Sequence, residues 1–460
     1  MESSASPLPG PSPEQWAAPA ASGPAPSSRP VDPPEQWAAP AASGPVSATV
    51  RVPGSKSLTN RFLVLAAAAD AESVVRNALV SRDTQLMVSA LRALGADIRT
   101  DSEGALRVAP LPLGTDGTAP AEARVDCGLA GTVMRFVPPL AAATGRRVRF
   151  DGDEQAYSRP MSTILTALES LGAEVSAENG TLPFTVEAPG GMRGGHIEID
   201  ASATSQFVSG LLLSGSLFDL GVELVHTGAS LPSRPHIDMT LEVLADAGVH
   251  VEEPAPGRWV VEPGRPRALD VTVEPDLSNA AAFLSAALVT GGSVTVPHWP
   301  AHTQQAGDRF REIAEAFGGT CDLDRSGLTV TGPQTLAPVD LDLSEVGELT
   351  PVTAAVAAFA PGTSVLRGIG HLRGHETDRL SALAAELTGA GAQVVEGPDS
   401  LTISGTPSVP TLWRTYADHR MVMAGAIVAL RVPGLRIDDP QTVGKTLAEF
   451  PELWTRAVDA

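Results

Sequence analysis

Of the 32 lysine and arginine side chains in this 460-residue sequence, only Lys56 and Lys445 are lysine. Where nearly every cation is arginine, a retained lysine marks a place where the planar fork will not serve. The compact ammonium can approach a reacting atom and shift its pKa, which a guanidinium cannot do. Both lysines lie in short polar segments suited to anions, Pro53-Gly54-Ser55-Lys56-Ser57-Leu58-Thr59-Asn60-Arg61 and Thr442-Val443-Gly444-Lys445-Thr446. The first follows a strand-like run and precedes an apolar helix expected over Arg61–Ala69. Small residues before a helix leave backbone N–H groups open, and the helix dipole favours an anion there. The G-x-x-x-x-G-K spacing of a nucleotide-triphosphate loop is missing, which disfavours ATP hydrolysis.

Other clusters admit two readings each. Gly131, in Gly128-Leu-Ala-Gly131-Thr-Val-Met-Arg135, would let a ligand approach the backbone, and a tight turn explains it equally. Ser158-Arg159-Pro160-Met161 predicts a helix start with proline in the first turn, Arg159 facing either a cleft or solvent. Thr204-Ser205-Gln206 is an N-cap or a set of polar ligands. Glu376 and Arg379, three residues apart, form a helical ion pair or part of a site. Asp418-His419-Arg420 is a capped helix start or an anion contact. There is no H-E-x-x-H, no paired C-x-x-C and no zinc-like grouping, so no metal is expected.

Composition narrows the classes. Formal charge is −21, with 43% hydrophobic and 18% charged residues. No basic stripe exists, which argues against nucleic acid. An acidic chain that binds anions must gather its few cations locally. No apolar run is long enough for a membrane span, and the N-terminus lacks a secretory pattern. Two cysteines, Cys127 and Cys321, make no disulfide framework and suit a cytoplasmic location.

The scaffold that must position these clusters shows a long repeat. A helix, a glycine and a strand recur around Gly95, Gly172, Gly248, Gly318 and Gly391, at spacings of 77, 76, 70 and 73 residues. Each glycine falls where a helix end needs a left-handed residue. Five copies predict α/β units of about 70 residues, too large for a solenoid. A sixth, completed by the first strand (Ala48–Val52), would make two domains of three. Residues 1–45 contain a perfect duplication, PEQWAAPAASGP at 13–24 and again at 34–45. This aperiodic segment is expected to be a disordered tail. Only Trp37 in the second copy, which runs into the first strand, is expected to dock on the body.

Taken in order, PGSKSLTNR, AGTVMR, SRP, TSQF, SRPHID, HETDRL, DHRM and GKT resemble the 5-enolpyruvylshikimate-3-phosphate synthases, from about residue 46 to 460. The resemblance implies an α/β fold of two similar domains, each of three βαβαββ units in an inside-out barrel, with the active site in the cleft between them. It implies a discontinuous first domain (46–56 plus 275–460) and a second over 57–274. It implies transfer of the enolpyruvyl group of phosphoenolpyruvate to the 5-hydroxyl of shikimate 3-phosphate, releasing phosphate, with no cofactor, in a monomer. Glyphosate would compete with phosphoenolpyruvate.

By the same resemblance, Lys56, Ser57, Arg61, Thr204, Ser205, Gln206, Ser233, Glu348, His371 and His375 would bind shikimate 3-phosphate. Lys56, Gly131, Arg159, Gln206, Arg379, Arg420 and Lys445 would bind phosphoenolpyruvate. Glu348 would take the hydroxyl proton, and Glu376 or Lys56 would protonate the enolpyruvyl carbon. The chain departs from the family at Leu129, Thr204 and His236. It departs also at Glu348, where aspartate is usual, and at His371 and His375, where asparagine and lysine are usual. A histidine at 375 predicts phosphate binding that weakens as pH rises through the imidazole range. The alternatives are a UDP-N-acetylglucosamine enolpyruvyl transferase, whose usual catalytic cysteine lies in a mobile loop and whose lysine is followed by asparagine, where here Ser57 follows Lys56 and Cys127 stands just before the Gly128 turn, and a non-catalytic anion binder on the same scaffold.

Overall fold

The computed structural model describes residues 13–16, 36–113, 122–231 and 233–460. The chain forms two compact units. Unit 1 takes Gly54–Leu231 and Ile237–Val273 with residues 13–16; unit 2 takes Glu274–Ala460 with residues 36–53 and 233–236.

One motif builds both units. A strand, a helix, a parallel strand, a second helix and an antiparallel hairpin give a four-stranded sheet in which the last strand lies inside the third. In unit 1, Glu122–Asp126 pairs in parallel with Arg147–Asp151, which pairs antiparallel with Phe184–Glu187, then Glu174–Ala177. Gly195–Ile199, Val222–His226, Arg258–Val261 and Val251–Ala255 repeat that order. The remaining sheet of unit 1 draws its outer strand, Asp270–Thr272, from far along the chain to pair with Ser73–Arg76. In unit 2, Ser47–Thr49 opens one sheet beside Ser293–Pro297, and Asp340–Asp342 opens another beside Thr363–Arg367.

The third sheet of unit 2 differs from expectation. The first body strand, Ser47–Thr49, completes the fourth motif rather than the sixth. The sixth is a three-stranded sheet of Leu412–Trp413, Arg436–Asp438 and Gln36–Trp37. Its antiparallel edge therefore comes from the second copy of the duplication. Trp37 meets Phe450 edge-to-face at 6.1 Å, a favourable aromatic geometry.

The helices are α1 (Lys56–Ala68), α2 (Arg82–Ala93), α3 (Gly131–Ala143), α4 (Ser162–Ser170), α5 (Gln206–Gly215) and α6 (Arg234–Asp246). Then follow α7 (Leu277–Thr290), α8 (Phe310–Ala316), α9 (Thr350–Ala357), α10 (Arg379–Gly389), α11 (His419–Ala429) and α12 (Phe450–Val458). Helices α1, α3 and α5 pack on one another at the centre of unit 1, and α7, α9 and α11 do so in unit 2. These six are buried nearly all round, which is why they read as apolar runs with little polar face. Gly210 permits the closest approach: a Cβ there would run into the Arg135 carbonyl across α3 and α5. Each unit has its own hydrophobic core.

The five repeat glycines all have positive φ, from 70° to 112°. At each, the following N–H reaches the carbonyl five residues before the glycine's successor, as Ala96 to Leu91 and Ala392 to Leu387. That is the Schellman closure expected of a left-handed C′ residue.

The N-terminal tail also differs. Residues 1–12 and 17–35 lie outside the described residues, but Pro13–Trp16 forms a single 3-10 turn with Trp16 fully buried in the core of unit 1. Among the described residues, no helix is long and apolar enough to cross a membrane.

Candidate active site

In unit 1 the three central helices begin close together. Helix α1 starts at Lys56, five residues earlier than the apolar pattern alone predicts, because the Ser55 side chain caps it by accepting the Leu58 N–H at 3.4 Å. Asn60 Nδ2 donates to Thr132 Oγ1 at 2.7 Å and ties the second turn of α1 to the first turn of α3. Helix α3 starts at Gly131. A Cβ at that glycine would stand 3.0 Å from Gln206 Oε1, in the first turn of α5, and 3.4 Å from both Arg159 Nη1 and Arg135 Nη1. The starts of α3 and α5 and two guanidinium groups thus gather around backbone bared by glycine, an arrangement suited to an anion.

Lys56 Nζ lies 3.4 Å from Asp83 Oδ2, a buried carboxylate in the first turn of α2. Ser81 caps that helix in a reciprocal box with Thr84. Arg61 is almost wholly buried. Its Nε donates to Thr240 Oγ1 at 2.8 Å, its Nη1 to the Ser57 carbonyl at 3.0 Å, and its face covers the Phe136 ring at 5.2 Å. Arg159 is not in a helix start as expected: Glu154–Ser158 is a 3-10 turn, Arg159 follows it in extended conformation, and α4 begins at Ser162. This leaves the side chain free to turn toward Gly131, where Nη1 donates to the Leu129 carbonyl at 3.2 Å. Thr204 Oγ1 accepts the Gln206 N–H at 3.3 Å, and Ser205 is buried at the α5 cap. Ser233, counted with unit 2, has a φ of 56° just before α6.

Unit 2 assembles a second cluster, in which every described cation faces a carboxylate. Glu376 is shared between Lys445 and Arg379: Oε1 accepts from Lys445 Nζ, and Oε2 from Arg379 Nη2 at 2.9 Å. Glu376 is not on the helix with Arg379. Asp378 caps α10, which begins at Arg379, so the pair spans the cap rather than a helical face. Asp418 takes Arg379 from the other side, at 2.7 Å from Nε and 3.3 Å from Nη2. Burial works against the charge on Arg379, but Asp418 and Glu376 outweigh it and raise its pKa above the usual arginine value. Arg420 Nη2 donates to Glu348 Oε2 at 3.1 Å, and its Nη1 to the Ser278 carbonyl at 3.0 Å.

The loop carrying Asp418 is strained and clamped. Tyr416 and Ala417 both have left-handed φ, 54° and 56°, which L-residues adopt at a cost of order 1–3 kcal/mol each. Glu386 on α10 accepts from Tyr416 Oη at 2.7 Å and from the Arg414 N–H at 3.0 Å, and Asp438 accepts from Thr415 N at 2.7 Å. So held, Asp418 both caps α11 through the Arg420 N–H at 2.9 Å and receives Arg379.

The two histidines sit beside this cluster. His371 packs on Gly347, the neighbour of Glu348, and the His371 and His375 rings lie 5.9 Å apart. His375 Nδ1 is 3.3 Å from Arg379 Nη1. Arginine has no acceptor, so Nδ1 must accept and the ring proton resides on Nε2. Burial and then Arg379 push the His375 pKa down to about 3, and burial lowers that of His371. Neither ring carries charge near neutrality. The expected cationic His375 is therefore not what the structure holds.

The sequence motifs did not reveal Asp83, Arg135, Asp418 as the Arg379 partner, or the Glu386 clamp. Capping patterns at Ser81 and Asp418 were the available signals; the pairings themselves join residues 27 and 39 positions apart.

Residues 40–454 match the family EPSP synthase (3-phosphoshikimate 1-carboxyvinyltransferase). The 3-phosphoshikimate 1-carboxyvinyltransferase of Mycobacterium ulcerans (strain Agy99) is 52% identical over 427 residues, covering 90% of this chain and 96% of that protein. The enzyme of the same name from Kocuria rhizophila is 52% identical over 420 residues, covering 90% and 94%. Among solved structures, EPSP synthase from Acinetobacter baumannii superposes with a TM-score of 0.78 at 24% identity, over 92% of this chain and 98% of that one. The enolpyruvyl transferase NikO from Streptomyces tendae gives 0.69 at 18%, over 91% and 96%. At those identities the two structures speak for the fold.

Proposed function

The chain belongs to the EPSP synthase (3-phosphoshikimate 1-carboxyvinyltransferase) family, and on that premise we propose how its two clusters carry out the family reaction. Its activity is transfer of the enolpyruvyl group of phosphoenolpyruvate to shikimate 3-phosphate with release of phosphate. Both substrates carry a phosphate and a carboxylate, and an acidic chain can hold them only where cations are collected.

We assign shikimate 3-phosphate to Lys56, Ser57, Thr204, Ser205, Gln206 and Ser233. Arg61 acts from beneath, fixing the Ser57 carbonyl while nearly buried itself. His371 and His375 meet the substrate as neutral rings, His375 donating through Nε2. We assign phosphoenolpyruvate to Arg379, Arg420 and Lys445, with Lys56, Gly131, Arg159 and Gln206.

The observation that carries the mechanism is that Glu376 and Glu348 hold the very cations assigned to phosphoenolpyruvate. An anionic ligand that draws Lys445, Arg379 and Arg420 to itself loosens both carboxylates and frees them for proton transfer. Glu348 then takes the hydroxyl proton of the acceptor as it attacks C2 of the enolpyruvyl group. C3 takes its proton from the Lys56 ammonium, or from Glu376 once that carboxylate, released by Lys445 and Arg379, has taken up a proton from solvent. Loss of phosphate and of the added proton from the tetrahedral intermediate restores the C2=C3 double bond and leaves the acceptor as its enol ether.

The UDP-N-acetylglucosamine reading needs a reactive cysteine. Cys127 is fully buried, and burial pushes its thiol far above the thiolate range, so it is an inert core residue. Phosphate release measured with each acceptor tests the assignment. Turnover with shikimate 3-phosphate alone among acceptors is expected; turnover with UDP-N-acetylglucosamine instead would overturn it.

A further inference from the structure

The two copies of PEQWAAPAASGP meet two different surfaces. In the second copy, Gln36–Trp37 is a strand edge on Arg436–Asp438, and Trp37 is partly buried. In the first, the same Pro-Glu-Gln-Trp letters form a 3-10 turn, and Trp16 is completely buried among the core side chains of unit 1. The same Gln-Trp pair in two conformations means that the receiving surface, not local propensity, decides how each copy is held.

The surface that receives Trp16 is one face of α2. Gln85 Nε2 donates to the Gln15 carbonyl at 2.5 Å, and Arg92 Nη1 to the Trp16 carbonyl at 2.9 Å. Residues seven apart stand on one side of a helix, so the two side chains bond consecutive carbonyls of the docked turn from the same side. Between them, Ser89 turns back to the Gln85 carbonyl at 2.8 Å. The other arm of Arg92 is pinned by the Ile98 carbonyl at 2.7 Å, so the guanidinium is oriented by the body of unit 1. An indole buries roughly 150–250 Å² of surface when it enters a core, enough to order a short flanking turn.

We propose that this face of α2 is a built recognition site for the Pro-Glu-Gln-Trp motif, occupied in cis by the first copy of the duplication. The tryptophan supplies the anchor and the two backbone carbonyls supply the register. The tail is then a stabilising element of unit 1, and an emptied site should accept the same motif from solution.

The full-length Trp16→Ala variant empties the site without touching any residue assigned to the reaction, and its turnover reports that it has folded. It should melt about 2–6 °C below wild type. A fluorescently labelled peptide of residues 13–24 should bind it saturably by anisotropy. The peptide should not bind wild type, where the site is filled. The same peptide with alanine in place of its tryptophan should bind neither. A second reading does not depend on the variant: chymotrypsin should cut the free peptide after its tryptophan quickly and the native wild-type protein at Trp16 slowly. Peptide that binds both proteins alike, or neither, overturns the proposal, and so does native cleavage at Trp16 as fast as in the free peptide.

Discussion

The Glu348 carboxylate accepts a hydrogen bond from Arg420 at 3.1 Å, while its neighbour Gly347 bears the ring of His371. A longer carboxylate than the family's usual aspartate thus reaches a cation assigned to the substrate. If Glu348 is the base, Glu348→Gln should lower turnover by about 10²–10⁴-fold. Glu348→Asp should cost far less, since the charge survives and only reach is lost. Steady-state kinetics of both variants decides this, and equal losses would remove Glu348 from the role.

Arg379 and Asp418 form a buried pair, 2% and 0% exposed at the side chain. Removing one partner of such a pair leaves an uncompensated buried charge, typically a loss of about 3–5 kcal/mol. Asp418→Asn should therefore lower unfolding free energy by that order in denaturant titration. It should also raise the KM for phosphoenolpyruvate, because Arg379 loses its fixed orientation. Tyr416→Phe should produce a milder form of both effects, through the freed 414–418 loop. A stability change within about 0.5 kcal/mol for Asp418→Asn would show that the pair is not what holds the loop.

How much of this could be read in advance depended on distance along the chain. The repeat glycines and helix starts were legible because a C′ glycine and an N-cap are local requirements. The chemical clusters were legible as motifs for the same reason. Asp83 and Asp418 were not, because a carboxylate's partner is chosen by the fold rather than by its neighbours. Arg159 reads as a helix start because proline follows it, a first-turn signal, yet the helix begins three residues later, at Ser162. The segment around Trp16 reads as a disordered tail because a four-residue turn has no period to detect; what anchors it is the core of unit 1 beside α2, which exists only once the chain has folded.

Lys56 tests the reading of the two lysines. Its ammonium packs 3.4 Å from the buried Asp83 carboxylate and is itself largely covered. A guanidinium keeps the charge but needs a planar fork where a point charge fits. Lys56→Arg should lower kcat/KM by more than about tenfold, or about 1.4 kcal/mol of barrier, with little change in melting temperature. Retained turnover would mean that the lysine is there by chance.

Gly131 gives a test of crowding by ligand. A methyl there would press on Gln206 Oε1 at 3.0 Å and stand 3.4 Å from Arg159 and Arg135. Gly131→Ala should weaken glyphosate, expected to compete with phosphoenolpyruvate, more than phosphoenolpyruvate itself. Inhibition constants for the two proteins check this. Equal weakening would place Gly131 away from the inhibitor.

The last prediction reverses the one that the sequence suggested for His375. A cationic ring there would lose phosphate affinity as pH rises. In the structure Arg379 donates to Nδ1, and burial with that cation puts the pKa near 3. An unfolded histidine has a pKa of about 6.5. Between those values the unfolded chain binds a proton at residue 375 that the folded chain does not, so stability rises with pH across that window and falls as pH drops below about 6.5. His375→Gln removes this linkage, and the variant should lose less melting temperature than wild type between pH 7.5 and 5. His371, also shifted down by burial, acts in the same direction and remains as a common background. In the folded protein the ring is neutral throughout pH 6.5 to 8.5, so the dependence of shikimate 3-phosphate affinity on pH across that range should be parallel in wild type and His375→Gln. A wild-type affinity that falls with pH across that range, where the variant's does not, would mean that the bound phosphate recharges the ring against both its burial and Arg379.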